Sequence, residues 1–270
     1  MRHLVYILSL VLFVACSNGR APKNVLAVTA EPYRFVVEAV AGDSWQVITI
    51  VPKDANPETF DPSPANMVAL SDCAAYFMVG GLGFEDAWKG KIADIYPRMR
   101  LVDTSSGINS SIDDPHFWTS PDNMALIANN VCKVLCSLDS ANGEGYRERL
   151  RLFVQRVEQT DSAVARKLAP CSGKSFLIIH PALTYFADRY SLNQIAIEQE
   201  GKEPSAAHIR TIIDSARQCG VKTVLIQGGV PVRSAFAIAG EIGANVTAID
   251  HLAYDWHKQM LYIATVLSED

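Results

Sequence analysis

The sequence predicts an α/β protein with two lobes, each a mainly parallel sheet flanked by helices, joined by one long rigid interdomain helix. Three observations lead to this prediction. Short apolar runs alternate with helical patterns in both halves of the chain, as expected for buried parallel strands covered by helices. One uninterrupted helical pattern, 146–168, separates the halves. Potential metal ligands follow apolar runs or open helices at four places, two in each half.

The first half alternates strands with helices. Strands are predicted at 24–30, 46–51, 75–79 and 100–103, and helices at 32–41, from Pro64 onward, and at 122–138. Ser63 and Ser120 stand where helix N-caps are expected, and Pro64 occupies a first helical position. This half is therefore predicted to form a first lobe over 24–141.

A long amphipathic helix follows and connects to a second alternating region. Apolar positions three or four apart predict a helix over 146–168 that Pro170 closes. At 1.5 Å per residue it is roughly 33 Å long, the width of a small domain. We therefore expect a rigid link over 142–170 and a second lobe over 171–270. Its predicted strands are 176–179, 223–227 and 245–250, and its helices are 206–218, 232–242 and 256–267.

The N-terminus is predicted to be an export signal rather than part of the fold. Residues 4–15 are apolar but too few to span a bilayer. The small residues before Cys16 resemble the lipobox of bacterial lipoproteins, in which this cysteine carries the lipid; a plain signal peptide is the alternative. Residues 17–23 then form a tether. The expected location is a bacterial membrane, facing the periplasm or the cell surface.

Composition excludes one class of partner and limits the use of the cysteines. The chain has 270 residues and a formal net charge of −5, so it lacks the basic surface that binds nucleic acid. Five cysteines remain after Cys16. Cys132 and Cys136 share a helix face among apolar neighbours, which favours buried core thiols over a metal site.

Four residues in strand-end loops are candidate metal ligands: Glu58, His116, His180 and Asp250. Singly, each has an ordinary alternative: a solvated loop glutamate, packed histidines, or an aspartate that caps a helix. Together they have a common location, because ligands of open α/β sheets bind outside the carboxyl ends of the strands. Two imidazoles and two carboxylates suit a divalent transition metal.

The motifs around these residues resemble one family in content and order. They read Pro57-Glu-Thr-Phe-Asp-Pro-Ser-Pro64, Asp114-Pro-His-Phe-Trp118, His180 with Tyr185-Phe186 and Tyr190, Glu200-Gly-Lys-Glu-Pro-Ser205, and Asp250. From about residue 24 to the end, the chain resembles the zinc/manganese-type ABC transporter substrate-binding lipoproteins. Two features depart from that family. Glu58 stands where its first histidine is usual, and only 107–113 occupy the place of the long His-rich acidic loop of many zinc-specific members.

The resemblance implies capture of a metal ion as cargo, not catalysis. Glu58, His116, His180 and Asp250 would hold Zn²⁺, with Mn²⁺ or Fe²⁺ as alternatives because carboxylates suit harder ions. The implied partners are an ABC transporter membrane permease and, through the lipid anchor, a membrane; the protein is expected to be a monomer.

Other polar residues are expected to play lesser parts. A carboxylate normally accepts the second N–H of a ligating histidine, and Asp114 and Glu200 are the candidates. Beside Asp250, the residues His251, Asp255 and His257 are additional ligand candidates. His208, His251 and His257 are nevertheless interpreted as surface or packing residues.

Two other functions stay open at this point. A surface metallohydrolase could use the same cluster with water at an open position, although the sequence lacks His-Glu-x-x-His and a convincingly placed general base. An adhesin stabilised by a structural metal is the third possibility.

Overall fold

Two parallel sheets of four strands form the framework of the protein. The computed structural model describes residues 24–53, 55–109, 112, 114–198, 204–227 and 233–269. The strands are β1 (Val25–Val28), β2 (Gln46–Thr49), β3 (Ala75–Met78), β4 (Arg100–Asp103), β5 (Ser175–Ile178), β6 (Asn193–Ala196), β7 (Thr223–Gln227) and β8 (Asn245–Ile249). The helices are α1 (Glu31–Ala41), α2 (Pro64–Leu70), α3 (Gly83–Ile95), α4 (Pro121–Leu138), α5 (Gly143–Leu168), α6 (Thr184–Arg189), α7 (Ala206–Gln218), α8 (Arg233–Ile242) and α9 (Trp256–Ser268).

The two sheets have the same topology. Their strand orders are β2-β1-β3-β4 and β6-β5-β7-β8, with every neighbouring pair parallel. In each sheet the chain moves to one side of its first strand and then crosses to the other side. Such a switch in strand order opens a crevice at the carboxyl ends of the strands. The predicted two-lobed α/β fold is confirmed.

Helix α5 joins the lobes and packs against both. It runs for 26 residues, about 39 Å, beside α1 and α4 of the first lobe and α9 of the second. The buried side chains of these helices belong to one continuous apolar cluster that reaches into both sheets. Because close-packed interiors resist deformation, this shared core fixes the position of the lobes relative to each other.

Several details differ from the sequence-based expectation. The long helix begins at Gly143 rather than Tyr146, and helices α3 and α6 and strand β6 were not predicted. Strand β6 is an edge strand, exposed to half-buried along its length, so it lacks a continuous apolar run. The predicted domain boundaries stay a prediction. Cys16, the leader and the tether lie outside the described residues.

The cysteines and helices of the described region add two smaller observations. Cys73, Cys132, Cys136, Cys171 and Cys219 are free thiols, and the sulfurs of Cys132 and Cys136 lie 4.0 Å apart on one face of α4. Among residues that the structure describes, no helix is long and apolar enough to cross a membrane.

Three aromatic side chains connect the lobes through hydrogen bonds. The indole of Trp118, after β4, donates to the carbonyl oxygen of His251 at 2.8 Å. The indole of Trp256, at the start of α9, donates to the carbonyl oxygen of Trp118 at 2.6 Å. Both indoles are buried. On the outer side, the Tyr254 hydroxyl donates to Glu38.

A buried carboxylate shapes the loop at the end of β3. Glu85 accepts hydrogen bonds from the Thr29 hydroxyl and from the backbone N–H groups of Val79 and Gly80. Gly80 has φ 86°, and a Cβ at this position would collide with Asp103, so glycine is required. Burial raises the pKa of Glu85 to about 6, although these hydrogen bonds oppose the shift.

We predict that Glu85 makes stability depend on pH. Because its folded pKa is raised, the folded state holds the proton more tightly than the unfolded chain. The resulting stabilisation is present below pH 4.5 and is lost as the pH rises through about 6. Relative to Glu85→Gln, the wild-type free energy of unfolding should fall by about 2 kcal/mol across this range. Parallel curves for both proteins in urea titrations from pH 4 to 7 would contradict this assignment.

We also predict that Trp256 contributes strongly to the lobe junction. Trp256→Phe removes the donor and leaves the buried Trp118 carbonyl unpaired, which should cost about 1–3 kcal/mol. The matched control is Trp88→Phe, because the Trp88 indole bonds to Asp61 at an exposed site; its cost should stay near 0.5 kcal/mol. Equal losses of unfolding free energy for the two variants in chemical denaturation would show that the Trp256 hydrogen bond stabilises the protein no more than an exposed one.

Candidate metal centre

Three of the four predicted ligands meet in the cleft between the lobes. Glu58 follows β2, His116 follows β4 and His180 follows β5, so each extends from the carboxyl end of a strand. One potential ligand atom from each lies within 4.8 Å of the others. Among the histidine, cysteine, aspartate and glutamate residues that the structure describes, these three form the group that could hold a metal ion.

Glu58 is held by the loop that connects β2 to α2. Its backbone N–H donates to the side chain of Asn56 at 2.8 Å, a local turn that fixes the backbone. At the far end of the loop, Ser63 and Asn66 cap α2 reciprocally. The Asn66 amide also donates to the carbonyl oxygen of Ile50. The loop is therefore anchored on both sides of the carboxylate.

His116 is the most deeply buried member of the group, with 2% of its side chain exposed. One oxygen of Asp114 accepts from the His116 backbone N–H at 2.8 Å and lies 2.6 Å from Nδ1 of the ring. The opposite nitrogen, Nε2, lies 3.9 Å from Glu58. Asp114 thus accepts the second N–H of this histidine, as the sequence predicts, and orients the ring towards Glu58.

His180 has the same arrangement in the second lobe. Its Nδ1 lies 3.3 Å from the carboxylate of Glu198, and its Nε2 lies 3.4 Å from Glu58. The Gln227 side chain, at the end of β7, donates to the His180 carbonyl oxygen and accepts from its N–H. Glu198 thus lies where Glu200 was expected; Glu200 itself lies outside the described residues.

The charges of the group are strongly coupled. The nearby imidazole of His180 lowers the pKa of Glu58, against the effect of burial. Burial disfavours the charged form of His180, but Glu58 and Glu198 together raise its pKa. Burial likewise opposes ionisation of Asp114, yet the bonds and charge of His116 lower its pKa. The lowered pKa values favour the ionised forms of Glu58 and Asp114, which draw positive charge into the cleft.

The geometry suits a bound metal ion. With Nδ1 of each ring donating to a carboxylate, each Nε2 presents a lone pair towards Glu58. The buried Nε2 of His180 has no hydrogen-bond partner. In a tetrahedral zinc site with bonds of about 2.0–2.1 Å, neighbouring ligand atoms lie about 3.3 Å apart. The observed separations from Glu58, 3.4 and 3.9 Å, need only a small contraction around an ion.

The fourth predicted ligand is placed differently. Asp250 is exposed, and its carboxylate accepts from the backbone N–H of Leu252 at 3.1 Å within a loop; it does not cap α9, whose N-cap is Asp255. The adjacent His251, interpreted from sequence as a surface or packing residue, instead directs its ring towards the other two histidines. Burial and the nearby His116 and His180 hold the pKa of His251 well below its usual value. His257 packs as expected, buried against Thr160.

A cavity of about 560 Å³ opens beside the group. His180, Glu198, Asp250, His251 and Tyr262 are among the residues that line it. The cavity therefore adjoins two of the histidines of the cleft.

The fold and the cleft define a two-lobed α/β binding protein. The sequence matches the family model of the periplasmic zinc-uptake complex component A over residues 26–268. The chain belongs to this family, as the motifs predict.

Solved structures and curated relatives agree with this assignment. A crystal structure of ZnuA is 34% identical, with TM-score 0.87 over 91% of this chain and 98% of that one. The laminin-binding protein Lmb of Streptococcus agalactiae, described as having adhesin and metal-transporting activity, is 25% identical with TM-score 0.81 over 90% and 98%. The manganese ABC transporter substrate-binding lipoprotein PsaA of Streptococcus anginosus is 24% identical over 85% of this chain and 82% of its own length.

We predict that Asp114 tunes metal affinity through His116. Asp114→Asn keeps the size of the side chain but removes the charge that makes the ring a better ligand, so zinc affinity should fall about 10–100-fold. Asp122→Asn, at an exposed carboxylate on α4, is the matched control and should bind as wild type. Competition with a chromophoric chelator measures both, and equal affinity for the two variants would contradict the role of Asp114.

Proposed function

We propose that this protein captures a divalent transition metal ion, with zinc preferred, and delivers it to an ABC transporter permease for import. The observation that carries the proposal is the convergence of Glu58, His116 and His180 from two lobes on one point. Membership of the zinc-uptake family supports zinc as the cargo. A relative described as a manganese transporter component supports manganese as the alternative cargo.

Binding across the cleft makes the metal-loaded carrier different from the empty one. Glu58 and His116 belong to the first lobe, while His180 belongs to the second, so an ion gains all three bonds only when the lobes are together. A ligand shifts a conformational equilibrium by its differential affinity for the two states. Because α5 and the shared core hold the lobes, the change is local, and the loaded cleft is the form that the permease recognises.

The donor set favours zinc over manganese. Imidazole nitrogens suit zinc, copper, iron and nickel, whereas manganese prefers oxygen ligands. Glu58 adds one hard oxygen, and its negative charge offsets part of the charge of the ion. Iron fits the same donors and is the next candidate.

The location follows from the N-terminus. We propose that Cys16 carries a lipid that holds the carrier at the membrane where its permease lies, with residues 17–23 as tether, and that the carrier works as a monomer. Neither the hydrolase nor the adhesin alternative has a specific observation in this chain that favours it. A family of transport components fits capture and release better than a resident catalytic metal.

Removal of His180 tests the proposal. Loss of an outer-sphere partner costs about 10–100-fold in metal affinity, and loss of a ligand should cost at least as much. We therefore expect His180→Ala to lose at least about 100-fold in zinc affinity by competition titration of the metal-free protein.

The control for this variant is His208→Ala. His208 lies in the first turn of α7, where its backbone N–H is capped by Ser205, and its removal should leave zinc affinity unchanged. Wild-type affinity in His180→Ala, or equal losses in both variants, would refute the proposed site. Release of zinc to a chelator without unfolding, followed by circular dichroism, separates a carrier from a protein that needs its metal to fold.

A further inference from the structure

We infer that His251, not Asp250, supplies the fourth metal ligand, so that the site has three imidazoles and one carboxylate. This inference rests on the proposed function and names the residue that completes its site. Three ligands leave a tetrahedral zinc site incomplete, and closed protein sites hold four. The question is which side chain at the end of β8 reaches the fourth position.

The chain direction after β8 separates the two candidates. Asp250 is exposed, and its Oδ1 atom is engaged by the N–H of Leu252 at 3.1 Å. The next residue faces the interior of the cleft: His251 is half-buried, and its Nδ1 is buried without a hydrogen-bond partner. A buried polar atom without a partner is costly. A metal ion bound to this nitrogen would remove that cost.

Ring separations agree with shared coordination. At zinc–nitrogen distances of about 2.0–2.1 Å, two imidazoles on one tetrahedral ion have ring centroids about 5 Å apart. The observed distances are 5.1 Å between His116 and His180 and 5.3 Å between His116 and His251. The third distance, between His180 and His251, is 6.4 Å. His251 also lies outside the 4.8 Å group, so its ring and the other ligands must approach one another by at least about 1.5 Å to reach the spacing of a tetrahedral site.

The surroundings of His251 favour that small motion over a large one. Trp118 donates to the His251 carbonyl oxygen and stacks on its ring, with centroids 6.3 Å apart and planes at 12°. The backbone of His251 is thereby held by Trp118, which lies two positions after His116. Trp118 thus links His251 in the second lobe to His116 in the first.

Two variants at the end of β8 test the assignment. His251→Phe keeps an aromatic ring against Trp118 but has no nitrogen, and we expect zinc affinity to fall at least about 10-fold. Manganese affinity should fall less, because manganese depends less on nitrogen donors. Asp250→Asn should change zinc affinity less than about 3-fold, which is within 0.7 kcal/mol. A larger loss in Asp250→Asn than in His251→Phe would overturn the inference.

A measurement on the wild-type protein avoids the risk that a variant misfolds. With ¹⁵N-labelled histidine, zinc should shift the ring nitrogens of three histidines; two shifted rings would overturn the inference. Failure of the inference is distinguishable from failure of the proposed function. If His251 is not a ligand, His180→Ala still loses zinc and two rings still shift; if the proposed site is wrong, His180→Ala binds as wild type.

Discussion

The arrangement that the cleft depends on is two imidazoles whose outer nitrogens are committed to carboxylates. Asp114 engages Nδ1 of His116, and Glu198 engages Nδ1 of His180. Both Nε2 atoms then face Glu58 at 3.9 and 3.4 Å. Lone pairs and a carboxylate in a partly buried space repel one another unless a cation lies among them. A proton satisfies this demand poorly for three groups at once, whereas a divalent metal ion satisfies all three.

Such a site binds a metal ion only if the two lobes keep their positions relative to each other. The two four-stranded sheets carry their ligands at the carboxyl ends, and a displacement of one lobe by 1 Å would spoil bonds of about 2 Å. Helix α5, the continuous core and the buried bond from Trp256 to Trp118 limit such displacement. Rigidity has a further consequence: little conformational entropy is lost on binding, and preorganisation of this kind increases affinity.

Sequence patterns predicted most of the fold because buried parallel strands and amphipathic helices have strong signatures. Strand β6 escaped prediction because an edge strand that is only half-buried lacks an apolar run. His116 and His180 could be found because they follow strands within ordered motifs. The sequence offers His251 only as an additional candidate beside Asp250, because adjacent residues after a strand point in different directions and no pattern tells which one enters the cleft. That choice is made by Trp118, 133 residues away in the chain.

Glu58 and His251 together change the set of metal ligands in this chain but keep its capacity to bind a metal ion. A carboxylate at position 58 replaces an imidazole with an oxygen donor and brings a negative charge. A third imidazole at position 251, in the other lobe, restores the nitrogen count, while the exposed Asp250 accepts from the N–H of Leu252 instead. The site then holds three nitrogens and one oxygen, with a single ligand charge. Such a ligand set retains the preference of imidazole for zinc. Each lobe supplies two of the four ligands, so the ion is held only when both lobes contribute.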